Sequence, residues 1–474
     1  MKFSTFFLVL FLGFHLSFAQ KTSKQINDFL ETYHQYGKLN GAVLVADNKE
    51  ILFKKGFGMA DFDWQQPNTP QTRFRIASIS KQFTALMILQ LVEEGKLKLE
   101  DKISTFIAEY PKDKAEKITI HHLLSHTSGI VHYFPDFYQK FSKTQYTPEE
   151  LMRLFWNIDL LFEPSTNYRY SSFGYVVLGV ILEKVTGKNY ETNLQERICK
   201  PLKMQNTGID NDLNIISQKA KGYLASGNLV NCEYRNMSTV FATGQIYSTV
   251  EDLHLWHKAL NTNQLLSEKY RNLLFTPNQN NYGYGWLMTS QELSKDKKVN
   301  TTWHTGGFNG FNAIILREEN GYFVTILANA EPTEVENIAK GILQIVHKVP
   351  FELPKKSIAQ TLAKTIENQG IEVGLTQYKQ LQSTSPNDYD FAEGALIGLS
   401  EYFGMLKKTD IVLRLLEFNA EIYPNSSWTY SNLGSVYAQL GNEQKAVEYY
   451  EKTLALFPHD SVAKTYLENV KKKK

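Results

Sequence analysis

The chain has 474 residues, beyond the roughly 100 to 200 of a usual domain, so one large domain with an appendage, or two domains, is expected. Its composition, 42% hydrophobic, 13% aromatic and 21% charged, is that of a globular protein and excludes disordered, collagen-like and membrane-embedded chains. Lysine and arginine number 51 against 49 aspartates and glutamates, a formal charge of +2 that argues against nucleic acid as a partner.

Taken in chain order, Met1 to Ala19 carries one lysine, an apolar run and the small-x-small ending Ser17-Phe18-Ala19, which predicts a signal peptide cut before Gln20. The run is shorter than the ~20 apolar residues a span prefers, so the expectation is an exported chain, periplasmic or secreted, with no membrane span after cleavage. Export would bring Cys199 and Cys232 into an oxidising compartment where they could pair. Their ordinary globular surroundings suit two separate buried thiols, the reading adopted here, and not a zinc site.

Residues 41 to 58 give two β-rich runs around Asp47-Asn48, and residues 311 to 329 give two more around Asn320-Gly321, a strong hairpin signal. Between them the patterns are helical. Thr147-Pro148-Glu149-Glu150 and Ser248-Thr249-Val250-Glu251 each read as a reciprocally capped helix start. Residues 172 to 186 form a third helix, stopped by Gly187. Strands at both ends with helices between predict a mixed α/β domain: one sheet closed by the chain's return, with a helical lobe inserted.

After Pro354 the strand signals vanish. Leu433-Gly434, Tyr437, Ala446, Tyr450 and Pro458 stand at the offsets of a tetratricopeptide helix pair. Stepping back 34 residues gives Leu399-Ser400, Phe403, Val412, Leu416 and Pro424, so the repeat is internal. Two repeats are too few to bury a continuous core, so either helices near 356 to 383 and 460 to 470 cap them or the array docks on the first domain. The expected boundaries are a leader at 1–19, a first domain at 20–350, a helical linker at 351–387 and all-α repeats at 388–474, the last a surface for a protein partner.

The chemistry centres on FRIASISKQFTALMILQLVEEG, residues 74 to 95. An alternating stretch leading into a helix puts Ser78 at the helix N-terminus, where free N–H groups favour a developing negative charge. Lys81 falls on the same face one turn on. A serine hydroxyl needs a base, and a lysine of depressed pKa supplies one. Serine and lysine at this spacing are by themselves a weak signal, and more often a cap and a solvated lysine.

RYSSFGYVVLG at 169 to 179 and WHTGGFNGF at 303 to 311 change that. They follow in the order and broad spacing of the second and third motifs of the serine β-lactamase and penicillin-binding protein superfamily, which the chain resembles over roughly residues 25 to 345. The likeness is to the class C branch, which also includes D,D-peptidases, D-aminopeptidases and esterases. The resemblance implies a β-lactamase-like antiparallel sheet flanked by helices. It implies Ser78 as the acylated nucleophile, Lys81 as its proton acceptor and Tyr170 as the group that protonates the leaving atom and later activates water. The backbone N–H groups of Ser78 and Gly307 would form the oxyanion hole, with Gly306 and Gly307 letting substrate lie along the strand. No cofactor or metal is implied.

Two positions depart from the family pattern. Ser172 stands where many members have asparagine, and His304 where class C β-lactamases have the lysine of Lys-Thr-Gly, ahead of Thr305. A histidine there would be partly charged near neutral pH. Both departures disfavour strong β-lactamase activity. The reading is therefore a serine hydrolase acting on an ester, amide or D-amino-acid peptide; the alternative is a catalytically weak binding protein whose repeats do the work. Among His121, His122, His126 and His132, His122 and His126 could share a helix face and hold zinc. No third ligand accompanies them, so packing and loop hydrogen bonding is the reading. Gly283-Tyr284-Gly285-Trp286 reads as the start of a strand, since no P-loop lysine follows.

Overall fold

The structure, a computed structural model, describes residues 4–134, 137–319 and 321–473, with side chains from Gln20 onward except those of Ser461 and Lys473. Asn320, half of the second hairpin signal, lies outside the described residues, as does the start of the leader, Met1 to Phe3. Six strands form the central sheet: β1 (Gly41–Ala46), β2 (Ile51–Phe57), β3 (Leu287–Ser294), β4 (Lys297–Phe308), β5 (Phe311–Glu318) and β6 (Phe323–Ala328). Their order is β3-β4-β5-β6-β1-β2, and all neighbours are antiparallel. The chain's return is β6 pairing with β1, Gly41 opposite Ala328 and Ala46 opposite Phe323.

Both faces of this sheet are covered, which is why β1 and β6 are buried throughout and read as continuous apolar runs. Side chains alternate between faces: Ala42, Leu44 and Ala46 enter one core, Val43 and Val45 the other. The helices that matter for the site and its support are α1 (Ser4–Gln35), α2 (Ser80–Glu93), α3 (Pro148–Arg153), α4 (Ser172–Thr186), α5 (Val250–Ala259) and α6 (Val335–Val346). Ile26, Phe29, Leu30 and Tyr33 of α1 pack with Ile338, Ile342 and Leu343 of α6 on one face. The expected cleavage point before Gln20 falls inside α1, ahead of those contacts. On the other face α2 and α4 are buried nearly all round, so any polar side chain they carry is drawn into the interior.

Local signals explain where these helices begin and end. Thr147 caps α3 by accepting the Glu150 N–H at 3.2 Å while the Glu150 carboxylate accepts the Thr147 N–H at 2.8 Å. Gly187 ends α4 at φ +65°, a conformation that favours glycine. At α5 the structure corrects the sequence reading by one residue. Ser248 is used by the strand Ile246–Ser248, so Thr249 is the cap and accepts the Asp252 N–H at 3.1 Å.

The chain divides into two compact units, Met1–Tyr223 with Cys232–Leu353, and Leu224–Asn231 with Pro354–Lys474. The second is helical: α7 (Ile358–Gln369), α8 (Ile371–Thr384), α9 (Glu393–Met405), α10 (Thr409–Ile422), α11 (Ser427–Gln439), α12 (Glu443–Leu456) and α13 (Ser461–Lys473). The repeat positions Leu399, Phe403, Val412, Leu416, Leu433, Tyr437, Ala446 and Tyr450 share its core. Ser400 is accepted there because its hydroxyl donates to the Ile397 carbonyl at 2.7 Å. Strand pairing does not vanish after Pro354, as the sequence suggests. Lys356–Ser357 pairs in parallel with Tyr389–Asp390, too short a contact to leave a periodic signal. Among the described residues no helix is long and apolar enough to cross a membrane.

Candidate active site

Ser78 occupies a single 3-10 turn, Ala77–Ile79, between the short strand Phe74–Arg75 and α2. Ala77 adopts φ +45°, a left-handed conformation that costs a non-glycine residue about 1 to 2 kcal/mol. Ala77 and Ile79 are buried while Ser78 between them is half-exposed, so the turn presents the hydroxyl. β4 runs directly against this turn. A Cβ on Gly306 would stand 2.2 Å from the Ile76 carbonyl oxygen, whereas one on the exposed Gly307 would meet only Asn312 Nδ2 at 3.4 Å. Pairing of β4 with β3 stops at Trp303, leaving His304, Thr305, Gly306, Gly307 and Phe308 with no strand partner on that edge.

The Lys81 Nζ lies 3.1 Å from Ser78 Oγ and 3.1 Å from the Thr243 carbonyl oxygen. Because α2 is buried all round, Lys81 has no exposed surface, and among the described residues no carboxylate pairs with it. Burial pulls its pKa down to about 7. In the neutral form the amine accepts the serine proton and keeps a hydrogen bond to Thr243. Its nitrogen stands 4.9 Å from the centre of the Tyr170 ring and 5.9 Å from that of Tyr175.

Tyr170 is half-buried with its hydroxyl oxygen shielded from solvent, and burial raises its pKa far above that of a free phenol, so the hydroxyl is neutral. Ser78 lies close enough to favour the phenolate, yet the hydroxyl makes no well-formed hydrogen bond to a described group. The oxygen stands beside Ser78 without a directed bond, as catalytic groups often do before substrate is present. Beside it the ring of His304 is centred 5.9 Å from that of Tyr170. His304 Nδ1 donates to the Thr305 carbonyl at 2.5 Å, and Nε2 accepts from the Tyr282 hydroxyl at 3.1 Å. Burial, then the charge of Lys81, lowers its pKa to about 4. His304 is therefore neutral around pH 7, not partly charged as its residue type suggests. The Ser172 hydroxyl is turned to that of Tyr133.

The structure thus brings Ser78, Lys81, Tyr170, Ser172 and the 304–307 strand edge together from three remote parts of the chain. Sequence reasoning missed what His126, His132 and Tyr282 do here. His126 Nδ1 accepts the Ser171 N–H at 3.1 Å and His132 Nδ1 accepts the Ser172 N–H at 3.0 Å. His121 Nδ1 bonds the Tyr284 hydroxyl at 2.7 Å, while His122 caps the helix Ile120–Leu124. Among the described residues no group of three His, Cys, Asp or Glu side chains is placed to hold a metal ion. Cys199 and Cys232 are free thiols. A cavity of about 760 Å³, lined in part by His257, Arg271, Thr302 and Arg317, contains none of Ser78, Lys81 and Tyr170. The site is assigned by chemistry, not by cavity size.

The sequence profile of the beta-lactamase family matches residues 24–347. The chain belongs to that family. Within the beta-lactamase family it is similar to a penicillin-binding protein of Bacillus subtilis (strain 168), 28% identical over 362 residues that span 71% of this chain and 79% of that one. Among solved structures it is similar to the octameric penicillin-binding protein homologue from Pyrococcus abyssi, 27% identical with a TM-score of 0.60, over 72% of this chain and 81% of that one. D-amino acid amidase from Ochrobactrum anthropi SV3, complexed with L-phenylalanine amide, is 25% identical with a TM-score of 0.59, over 70% of this chain and 99% of the amidase. A tetratricopeptide-repeat profile matches residues 427–460, the helix pair α11 and α12. The chain is thus a β-lactamase-like serine hydrolase fold followed by a helical region with a tetratricopeptide repeat.

Proposed function

We propose that the protein cleaves an ester or amide through an acyl-enzyme on Ser78. One observation carries this reading: a fully buried lysine amine, unpaired with any described carboxylate, lies 3.1 Å from the serine oxygen. Ser78 Oγ attacks the substrate carbonyl carbon as its proton passes to Lys81. The oxyanion that forms meets the backbone N–H groups of Ser78 and Gly307. The bond to the leaving group then breaks as that group takes a proton by way of Tyr170. Water, giving up a proton along the same route, releases the acyl group and restores the serine.

The neutral His304 offers no charge to a substrate carboxylate, and the short Ser172 hydroxyl, near that of Tyr133, does not replace an asparagine amide. Both support neutral acyl donors over penicillins and cephalosporins. D-amino acid amidase, named for amides, sits on the same fold and supports an amide or D-amino-acid substrate. Export by the leader, with action in the periplasm or outside the cell, completes the proposal, and the helical repeats serve as the docking surface for a protein. Incubation with a labelled fluorophosphonate followed by peptide mapping is the test. A label on Ser78 that disappears in Ser78→Ala, together with turnover of short esters, is expected. A folded protein that takes no label at Ser78 defeats the proposal.

A further inference from the structure

The histidines of the 121–132 stretch are left over when the serine chemistry is accounted for, and two of them meet it again from behind. Tyr170 is followed by Ser171 and Ser172, whose N–H groups would otherwise be among the unpaired donors at the start of α4. Neither is bonded to the backbone of α4. The Ser171 N–H goes to His126 Nδ1 and the Ser172 N–H to His132 Nδ1. On the other side of Tyr170, the Arg169 N–H donates to the carbonyl of His126 itself, at 3.0 Å. His126 therefore holds the residue before the tyrosine with its backbone and the residue after it with its ring. It does so from a φ of +59°, a conformation that costs a non-glycine residue about 1 to 2 kcal/mol. The ring is packed against Tyr170 at 4.4 Å between centroids, Tyr282 at 4.6 Å and Tyr175 at 5.1 Å.

We infer that His126 and His132 are positioning residues that clamp the backbone around Tyr170 and so set where its hydroxyl stands relative to Ser78. The inference rests on the proposed role of Tyr170. It requires both rings to be acceptors at Nδ1, which only a neutral imidazole can be. The surroundings keep them so. His126 faces Lys81, His304 and His132 as well as the tyrosines, and its pKa lies well below the usual value, chiefly from burial. His132 faces Lys81 and Arg169, and burial again leads in lowering its pKa, to about 3. Among the described residues no acidic group acts on either ring.

The test compares wild type with Ser78→Ala, His132→Ala, His132→Gln, His126→Ala and His126→Gln, measuring kcat and KM on a short ester and fluorophosphonate labelling of Ser78. Misplacing a catalytic group by about 1 Å costs on the order of 100-fold in rate, so each alanine variant should lose roughly 10- to 100-fold in kcat with KM within about twofold. Glutamine, whose amide oxygen can accept the same N–H, should recover most of that loss at position 132. Deuterium uptake of the 168–173 backbone should rise in His132→Ala while that of the Ser78 turn is unchanged. A wild type that neither turns over ester nor labels Ser78 defeats the serine-hydrolase proposal itself. Wild-type labelling and turnover, with His132→Ala retaining full kcat, overturns the clamp alone. If the alanine variants fail to fold, wild-type exchange decides: the amides of Ser171 and Ser172 should be protected from pH 5 to 8, and rapid exchange there overturns the clamp.

Discussion

Lys81 shows how one side chain's setting decides its chemistry. Its pKa of about 7, against an ordinary 10.5, means that the amine is a usable base in the range where a solvated lysine is fully charged. The expected kcat/KM profile rises with pH through about 7. Lys81→Met should lose that limb and, as loss of a proton acceptor typically costs 100- to 10,000-fold, most of the acylation rate. The stability effect has a definite sign. Between about pH 7 and 10.5 the unfolded chain binds the extra proton, so the contribution of Lys81 improves as pH rises through that window; below about 7 both states are charged and the cost of burying the ammonium is complete. Lys81→Met should therefore raise Tm more at pH 6 than at pH 10, as a thermal melt at the two values would show. His304, with its pKa near 4, should add no limb between pH 6 and 8. Esterase and peptidase action are then separated by substrate series, not by titration. Ser78, Lys81 and Tyr170 were legible in the sequence because each sits in a short local pattern. The charge state of His304 was not, since Tyr282 and the walls that dry it come from other segments.

At the level of elements, the closeness of β4 to the serine turn is the feature most exposed to test. The atom that a Cβ on Gly306 would strike belongs to rigid backbone, so Gly306→Ala has to displace either the strand or the turn. Overpacking of this kind costs about 1 to 3 kcal/mol. Gly306→Ala should lower Tm and cut Ser78 labelling by at least about tenfold, while Gly307→Ala, whose Cβ would meet only the Asn312 side-chain amide at 3.4 Å, should leave Tm nearly unchanged. The sheet and its closure were readable from two distant clusters of β-rich runs, because alternation and turn residues are local. The cap of α5 was misplaced by one residue because strand pairing claimed Ser248, a long-range event. The histidine loop was legible only as packing and loop hydrogen bonding, without its partners. Nothing in HHLLSHTSGIVH says which N–H groups its rings will face, since those arrive from residues 171 and 172. In the helical unit Gly434 was legible as a small residue of the repeat, and the reason is contact: a Cβ there would lie 2.9 Å from the Tyr450 ring.

At the scale of the whole molecule, two units with separate cores predict calorimetric unfolding in more than one step. The second unit includes Leu224–Asn231, and that stretch is well held within it. Val230 packs on the helical core, Asn228 Nδ2 donates to Glu367 at 2.6 Å, and Gln360 Nε2 donates to the Ala225 carbonyl at 3.2 Å. A chain ended after Leu353 lacks all three partners, so limited proteolysis should nick it between 224 and 231 while the full chain resists there. That short stretch also bears on inheritance and engineering. Recombination at any one point downstream of it would hand a descendant seven helices without the piece of polypeptide they close upon. A working transplant of the helical unit onto another hydrolase must therefore carry two separate insertions, which makes the pairing of these two units harder to break apart than their order along the gene implies.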